Sequence, residues 1–151
     1  MRCVIQRVDH ATMTVENEIW SEIGRGLLVL VGYEPEDSTE DVQWCVDKII
    51  KMRIFPDSDG KMNTSVNEVD GEVMIVSQFT LHASIKKGNR PSYIRAASPE
   101  TAIPLYEETI DYARDQLGKE KVKTGKFGAH MDITFNNNGP VTIVMDSKRK
   151  E

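Results

Sequence analysis

Short apolar runs, each closed by turn residues, constrain the fold of this chain more than any other feature. Residues 27–31 and 73–76 are aliphatic runs with the length of a buried strand. Other β-rich stretches occupy residues 3–8, 11–15, 19–23, 129–135 and 141–145. Turn signals at residues 16–18 and 24–26 separate the first stretches. The pattern predicts an N-terminal β-meander ending in the strand at 27–31 and a later strand over 72–81.

Two segments have helical periodicity instead. Ser38, with Asp41 three residues on, is typical of a helix start, and an apolar stripe follows at helical spacing. A second helix is predicted after Ser98, ending at Gly118. Because Pro104 lacks a backbone N–H, we expect its regular part to run from about Thr101 onward. Two helices and about seven strands imply an α+β layered domain.

Length and composition limit the class of protein. A chain of 151 residues has the length of one domain, which would span residues 1–151 and bury roughly 70% of its unfolded surface. The start lacks a signal-peptide apolar region and no run could span a bilayer, so a cytoplasmic protein without membrane contact is expected. Cys3 and Cys45 lack disulfide or zinc spacing, which favours reduced core thiols and no metal site.

Polar residues and a backbone irregularity interrupt the strand pattern at two places. The apolar run 73–76 continues directly into polar residues, and the strand at 141–145 is entered through a Gly-Pro bond. Local inconsistencies of this kind are expected at functional sites. The residues concerned are Ser77, Gln78, Phe79 and Thr80 in the first segment, and Asn137, Gly139, Pro140 and Thr142 in the second.

These two segments resemble the signatures of the D-aminoacyl-tRNA deacylases, a Ser-Gln-Phe-Thr run and an Asn-x-Gly-Pro-x-Thr run. Both are complete here, and the resemblance extends through residues 5–8, 24–26, 53–55, 87–91 and 127–129. His130, at the predicted pocket rim, is a local departure. The resemblance implies a three-layer β/β/α barrel-like fold and a homodimer. It also implies an esterase that releases tRNA and a D-amino acid without a cofactor and that tolerates glycine.

The resemblance also implies different roles for the two segments. Residues 77–80 would form the catalytic pocket, with backbone N–H groups near Phe79 and Thr80 as oxyanion donors, while the terminal ribose of the substrate helps to orient water. Gly139 and Pro140, joined by a cis bond, would enter the partner subunit's pocket and exclude L side chains. The supporting residues would be Arg7, Asn137, Thr142 and Met131.

The charge pattern bears on the RNA partner. The net charge is −5, yet residues 83–98 contain basic residues and no acidic one. Because phosphate contacts come mainly from Lys and Arg, Lys86, Lys87 and Arg90 are weak candidates for tRNA contact. We expect contacts confined to the acceptor end of aminoacyl-tRNA, and no DNA partner.

Two alternative functions are compatible with the residues. On a strand, Thr80 and His82 would share a face, which permits a Thr-nucleophile hydrolase of another small ester or amide. The basic loops would also suit a non-catalytic module that binds RNA ends. Hydrolysis of D-Tyr-tRNA but not L-Tyr-tRNA separates these alternatives from a deacylase.

Overall fold

The computed structural model describes residues 1–150, in which one long strand organises the sheet. Strand β1 (Arg2–Val15) pairs antiparallel with β3 (Gly26–Gly32) through its first half and with β2 (Glu18–Ile23) through its second. On its other edge β1 pairs with β8 (Asp132–Asp146) along nearly its whole length. The sheet continues with two parallel pairings, from β3 to β6 (Glu72–Ser77) and from β6 to β7 (Val122–Thr124).

Two helices and a small hairpin complete the described fold. Helix α1 spans Thr39–Lys51, helix α2 spans Pro99–Leu117, and the hairpin consists of β4 (Phe55–Pro56) and β5 (Met62–Thr64). Two short 3₁₀ helices cover Phe79–His82 and Lys119–Lys121. This arrangement confirms the predicted α+β fold with a barrel-like sheet.

Several predicted boundaries were wrong. The N-terminal strands do not form a simple meander, because irregular pairing around residues 8–11 lets one continuous β1 contact both β3 and β2. Strand β6 ends at Ser77 and the chain turns into a 3₁₀ helix, so the predicted strand over 72–81 is too long. Strand β8 runs unbroken through residues 136–140, where we predicted a connection.

The helix starts follow from local chemistry. Asp41 accepts a hydrogen bond from the backbone N–H of Ser38 at 2.9 Å, as in a capping box, and α1 begins directly after Ser38 as predicted. Helix α2 begins earlier than predicted, with Pro99 in its first turn, where a missing N–H costs nothing. Pro104 lies inside this helix. Helix α2 therefore includes Pro99 and Glu100, which we expected to precede its regular part.

Two apolar clusters lie on opposite faces of the sheet. The larger cluster packs both helices against one face and contains Cys3 and Cys45, both buried free thiols as predicted. The smaller cluster lies on the other face, around Met13, Leu28 and Met74. Neither helix in the described part of the chain is long and apolar enough to cross a membrane.

Candidate active site

The first motif lies where β6 leaves the sheet beside the end of β3. The backbone N–H of Gln78 still donates to the carbonyl of Val31 at 2.6 Å, after which residues 79–82 form a 3₁₀ helix, called here the 3₁₀ turn. A Cβ atom on Gly32 would lie 2.6 Å from the Gln78 carbonyl oxygen. Because glycine has no side chain, the turn can pack directly against β3.

A pocket of about 580 Å³ opens beside this turn. Ser77, Gln78 and Phe79 line one side of it, and Met131 lines another. Its remaining walls come from the end of β3, the start of α2 and residues 127–133. Apolar walls with a few polar groups near the end of a parallel strand pair are typical of a small-molecule site.

Within the motif, the side chains of Gln78 and Thr80 are hydrogen-bonded to each other. The Thr80 hydroxyl donates to Gln78 Oε1 at 2.8 Å, and Thr80 is exposed. The Phe79 ring is 56% exposed and makes an edge-to-face contact with Tyr93, with 5.0 Å between ring centroids. Such a pair fixes the orientation of both rings. Tyr93 also lines the pocket.

The prediction that Thr80 and His82 share a strand face was wrong. Both residues lie in the 3₁₀ turn, where Thr80 is exposed while the His82 side chain is fully buried. His82 Nδ1 faces the Glu34 carboxylate at 3.3 Å, and the Thr80 hydroxyl is directed to Gln78 instead. A nucleophile needs a base within hydrogen-bond reach, so the geometry does not favour the Thr-nucleophile alternative.

The second motif forms a projecting segment of β8. The Gly139-Pro140 bond is cis, as predicted, and both residues are exposed. Neither residue lines the pocket of its own chain. The structure therefore brings residues 77–79 and Met131 together in one pocket and places the Gly-Pro segment elsewhere on the surface.

Side chains of β1 hold this segment from below. Arg7 donates to the backbone carbonyl of Asn138 at 3.2 Å, to its side-chain oxygen at 2.8 Å, and to the Ile54 carbonyl at 2.6 Å. Gln6 Oε1 accepts from the Asn137 amide at 2.7 Å and from the Thr142 hydroxyl at 2.5 Å. The guanidinium fork fixes the segment at two points, which a lysine could not reproduce.

The candidate tRNA contacts lie on an exposed loop next to the pocket. Residues 83–98, called here the basic loop, carry Lys86, Lys87 and Arg90, all exposed. A backbone bridge between Ser84 and Ser92 closes the base of the loop. The loop thus presents exposed positive charge, and its residues Tyr93, Ala96 and Ala97 line the pocket.

Sequence reasoning missed three residues that shape the site. Gly32 permits the close packing of the turn, and Tyr93 supports Phe79. Tyr106 packs against the pocket residue Phe127 and donates to the Ile75 carbonyl at 2.8 Å. Burial raises the pKa of the Tyr106 hydroxyl well above its usual range despite its backbone hydrogen bond. Only Tyr93 had a visible signal, as an aromatic residue in an otherwise polar, basic segment.

Fold and site together define a small α+β domain whose pocket lies beside the end of a parallel strand pair. The profile of the D-Tyr-tRNA(Tyr) deacylase family matches residues 4–146. A D-aminoacyl-tRNA deacylase of Flavobacterium johnsoniae is 57% identical over 151 residues, covering 100% of both chains. Another, of Bacteroides thetaiotaomicron, is 54% identical over the same full length. The chain belongs to the D-Tyr-tRNA(Tyr) deacylase family.

Two solved structures share the fold of this chain. The c-Myc DNA Unwinding Element Binding Protein superimposes with a TM-score of 0.92 at 40% identity, covering 97% of this chain and 98% of that one. A probable eukaryotic D-amino acid tRNA deacylase superimposes with a TM-score of 0.83 at 18% identity, covering 95% and 97%. At that identity, the second comparison shows the fold alone.

Proposed function

We propose that this protein hydrolyses the ester bond of D-aminoacyl-tRNA and releases free tRNA and a D-amino acid. The observation that carries the proposal is the complete Ser-Gln-Phe-Thr segment, whose residues Ser77, Gln78 and Phe79 line a pocket in a chain of this family. The protein would act as one domain spanning residues 1–151, in the cytoplasm, where it would remove D-residues before translation. Glycyl-tRNA would also be a substrate, since glycine has no side chain to exclude.

The 3₁₀ turn would supply the oxyanion donors. The internal hydrogen bonds of the turn begin with the N–H of Leu81, which donates to Gln78. The N–H groups of Phe79 and Thr80 precede it, and the first N–H groups of a helix have no intrahelical acceptor. One such donor to the developing oxyanion typically raises the reaction rate by about 10²–10³-fold.

The chemical step follows from this placement. Water attacks the ester carbonyl, the developing negative charge is stabilised by the two N–H groups, and the carbon–oxygen bond to the ribose breaks. The ribose oxygen takes up a proton that the water releases, and the neighbouring ribose hydroxyl helps to orient the water. Ser77 and Gln78 brace the pocket, and Phe79, fixed by Tyr93, supports the terminal adenosine.

The Gly-Pro segment would complete the pocket of a second copy. It is exposed, does not line its own pocket and is fixed by Arg7, all of which suit a rigid element that acts on a neighbour. In such a homodimer, main-chain groups of Gly139 and Pro140 would leave no room for an L side chain.

The basic loop would hold the acceptor end of the tRNA. Lys86, Lys87 and Arg90 are exposed on a loop that also contributes Tyr93 to the pocket, while the protein as a whole has a net charge of −5. Few phosphate contacts are expected, because RNA is repelled by the acidic remainder of the surface.

Hydrolysis of D-Tyr-tRNA, L-Tyr-tRNA and Gly-tRNA by the purified protein tests the proposal. We expect release of tRNA from the D-Tyr and Gly substrates, and L-Tyr-tRNA at its spontaneous rate. A trapped acyl-enzyme on Thr80 would instead establish a Thr-nucleophile hydrolase. Binding of tRNA without hydrolysis of any of the three would leave only an RNA-end binding module.

A further inference from the structure

The 3₁₀ turn contains a buried histidine. His82 is the last residue of that turn, its side chain is 0% exposed, and both ring nitrogens lack a hydrogen-bond partner within residues 1–150. Buried polar groups are usually paired. The group that faces the ring is the Glu34 carboxylate, 3.3 Å from Nδ1, at ion-pair distance although outside hydrogen-bond geometry. His82 thus lies in the same turn as Phe79 and Thr80, whose N–H groups are the proposed oxyanion donors.

Glu34 joins this histidine to the basic loop. Its Oε1 atom also accepts a hydrogen bond from Arg95 Nη2 at 2.8 Å. Partial burial alone would raise the pKa of Glu34, but the hydrogen bond from Arg95 and the nearby positive charges of Arg95 and Arg2 together lower it. Glu34 is therefore a carboxylate that links the segment after β3 to both the turn and the loop.

The packing around His82 leaves little room for the turn to shift. A Cβ atom on Gly32 would lie 3.1 Å from the imidazole Cδ2 atom, so the ring rests directly against the end of β3. On another side of the turn, Arg2 Nη1 donates to the Leu81 carbonyl at 3.1 Å. The turn is thus held at consecutive residues, by Arg2 through Leu81 and by Glu34 through His82.

We propose that His82 and Glu34 are positioning residues for the deacylation step, an inference that rests on the proposed function. Their contact ties the turn that carries Phe79 and Thr80 to Arg95 at the base of the basic loop. The backbone N–H groups then stay in place when tRNA binds the loop. A displacement of reacting groups by 1 Å can cost about 10²-fold in rate, so the contact acts on kcat rather than on tRNA affinity.

The test compares kinetics with backbone protection in matched variants. Glu34→Gln keeps the size of the side chain and removes its charge, and His82→Gln keeps a polar side chain; His10→Gln, an exposed histidine on β1, is the control. We expect the first two variants to lower kcat for D-Tyr-tRNA by about 10-fold to 10²-fold, with KM unchanged. Arg95→Lys, which keeps the ion pair, should retain most of the activity, whereas Arg95→Met should not.

Amide hydrogen exchange gives a readout that is independent of substrate. The N–H groups of Leu81 and Ala83 close the turn by bonds to Gln78 and Thr80, so both should exchange faster in Glu34→Gln and His82→Gln and remain unchanged in His10→Gln. A wild-type kcat and wild-type exchange in Glu34→Gln would overturn the inference, and so would a change confined to KM.

The two proposals can fail separately. If the wild-type protein does not hydrolyse D-Tyr-tRNA, the proposed function fails, and exchange at Leu81 and Ala83 still decides whether Glu34 holds the turn. If His82→Gln does not fold, Glu34→Gln and Arg95→Met decide, since both alter side chains that are partly exposed in the structure.

Discussion

The two motif segments of this chain are organised in opposite ways. Residues 77–80 follow a buried parallel strand into the 3₁₀ turn, and residues 77–79 line a pocket in their own chain. The Gly139-Pro140 segment lies within an outer strand, is exposed and is fixed by side chains of β1. One segment is shaped by backbone packing around Gly32, the other by polar contacts from Arg7 and Gln6. Under the proposed function, chemistry and substrate discrimination would therefore have separate structural supports, which mutations can address one at a time.

The largest effect should come from Gly32→Ala, which acts on the first segment alone. The new Cβ atom would lie 2.6 Å from the Gln78 carbonyl oxygen, a contact with backbone that cannot be relieved by rotating a side chain. We expect a loss of at least about 10²-fold in kcat/KM for D-Tyr-tRNA as the turn moves, and a cost of about 1–3 kcal/mol in stability. Deacylation assays and thermal unfolding measure the two effects.

Gly24→Ala is the matched control, because its Cβ atom would meet only the Glu72 carboxylate, at an ordinary 3.5 Å. This variant should keep wild-type kinetics. Full activity of Gly32→Ala would contradict the view that close packing against β3 positions the turn.

Gly139→Ala should change discrimination rather than chemistry. The backbone of Gly139 has a φ of 129°, and a Cβ atom would lie 2.9 Å from the Val141 nitrogen. Holding alanine in such a conformation costs about 1–3 kcal/mol, so the projecting segment should shift. We expect the ratio of D-Tyr-tRNA to L-Tyr-tRNA hydrolysis to fall, as measured by rates on both substrates.

Gly60→Ala controls for backbone strain, since Gly60 has a φ of 77° but open space around its Cβ position. It should lose a similar amount of stability and keep its discrimination. An unchanged D/L ratio in a folded Gly139→Ala protein would show that the segment does not read chirality.

The sequence predicted the two helices because their starts and ends depend on short-range chemistry, whereas the cis bond was implied by the family resemblance of the second motif. Ser38 and Asp41 mark the start of α1 through a local hydrogen bond, and Gly118 ends α2. The end of β6 was missed because a 3₁₀ turn after an apolar run depends on the close approach of Gly32, 46 residues earlier, which no local pattern reveals. The burial of His82 against Glu34 was missed for the same reason.

A smaller effect is expected from neutral substitutions in the basic loop. Replacing Lys86, Lys87 and Arg90 by Gln should raise KM for tRNA and leave kcat unchanged, because these side chains are exposed and would contact phosphate. The slope of log KM against log salt should become shallower by up to about 2, at about 0.7 for each lost contact to a single strand. Kinetics at several salt concentrations give this slope.

Lys61→Gln, in the β4–β5 hairpin, is the control for a general change in surface charge. It should leave the salt slope as it is. A wild-type slope in the triple variant would place the tRNA contacts elsewhere on the surface.

The smallest effect should follow Thr80→Ala, although Thr80 belongs to the catalytic segment. Its hydroxyl donates to Gln78 Oε1, so it braces the pocket and is not directed at a base. Loss of one hydrogen bond near the surface costs about 0.5–1.5 kcal/mol, which corresponds to at most roughly tenfold in rate. The backbone N–H of residue 80, which we propose as an oxyanion donor, is retained by alanine.

A substrate ending in 2′-deoxyadenosine should show a larger loss of hydrolysis rate with the wild-type enzyme, because it lacks the ribose hydroxyl that orients the water. Single-turnover rates on both substrates give the comparison, and abolished turnover with intact binding in Thr80→Ala would instead make the side chain itself essential.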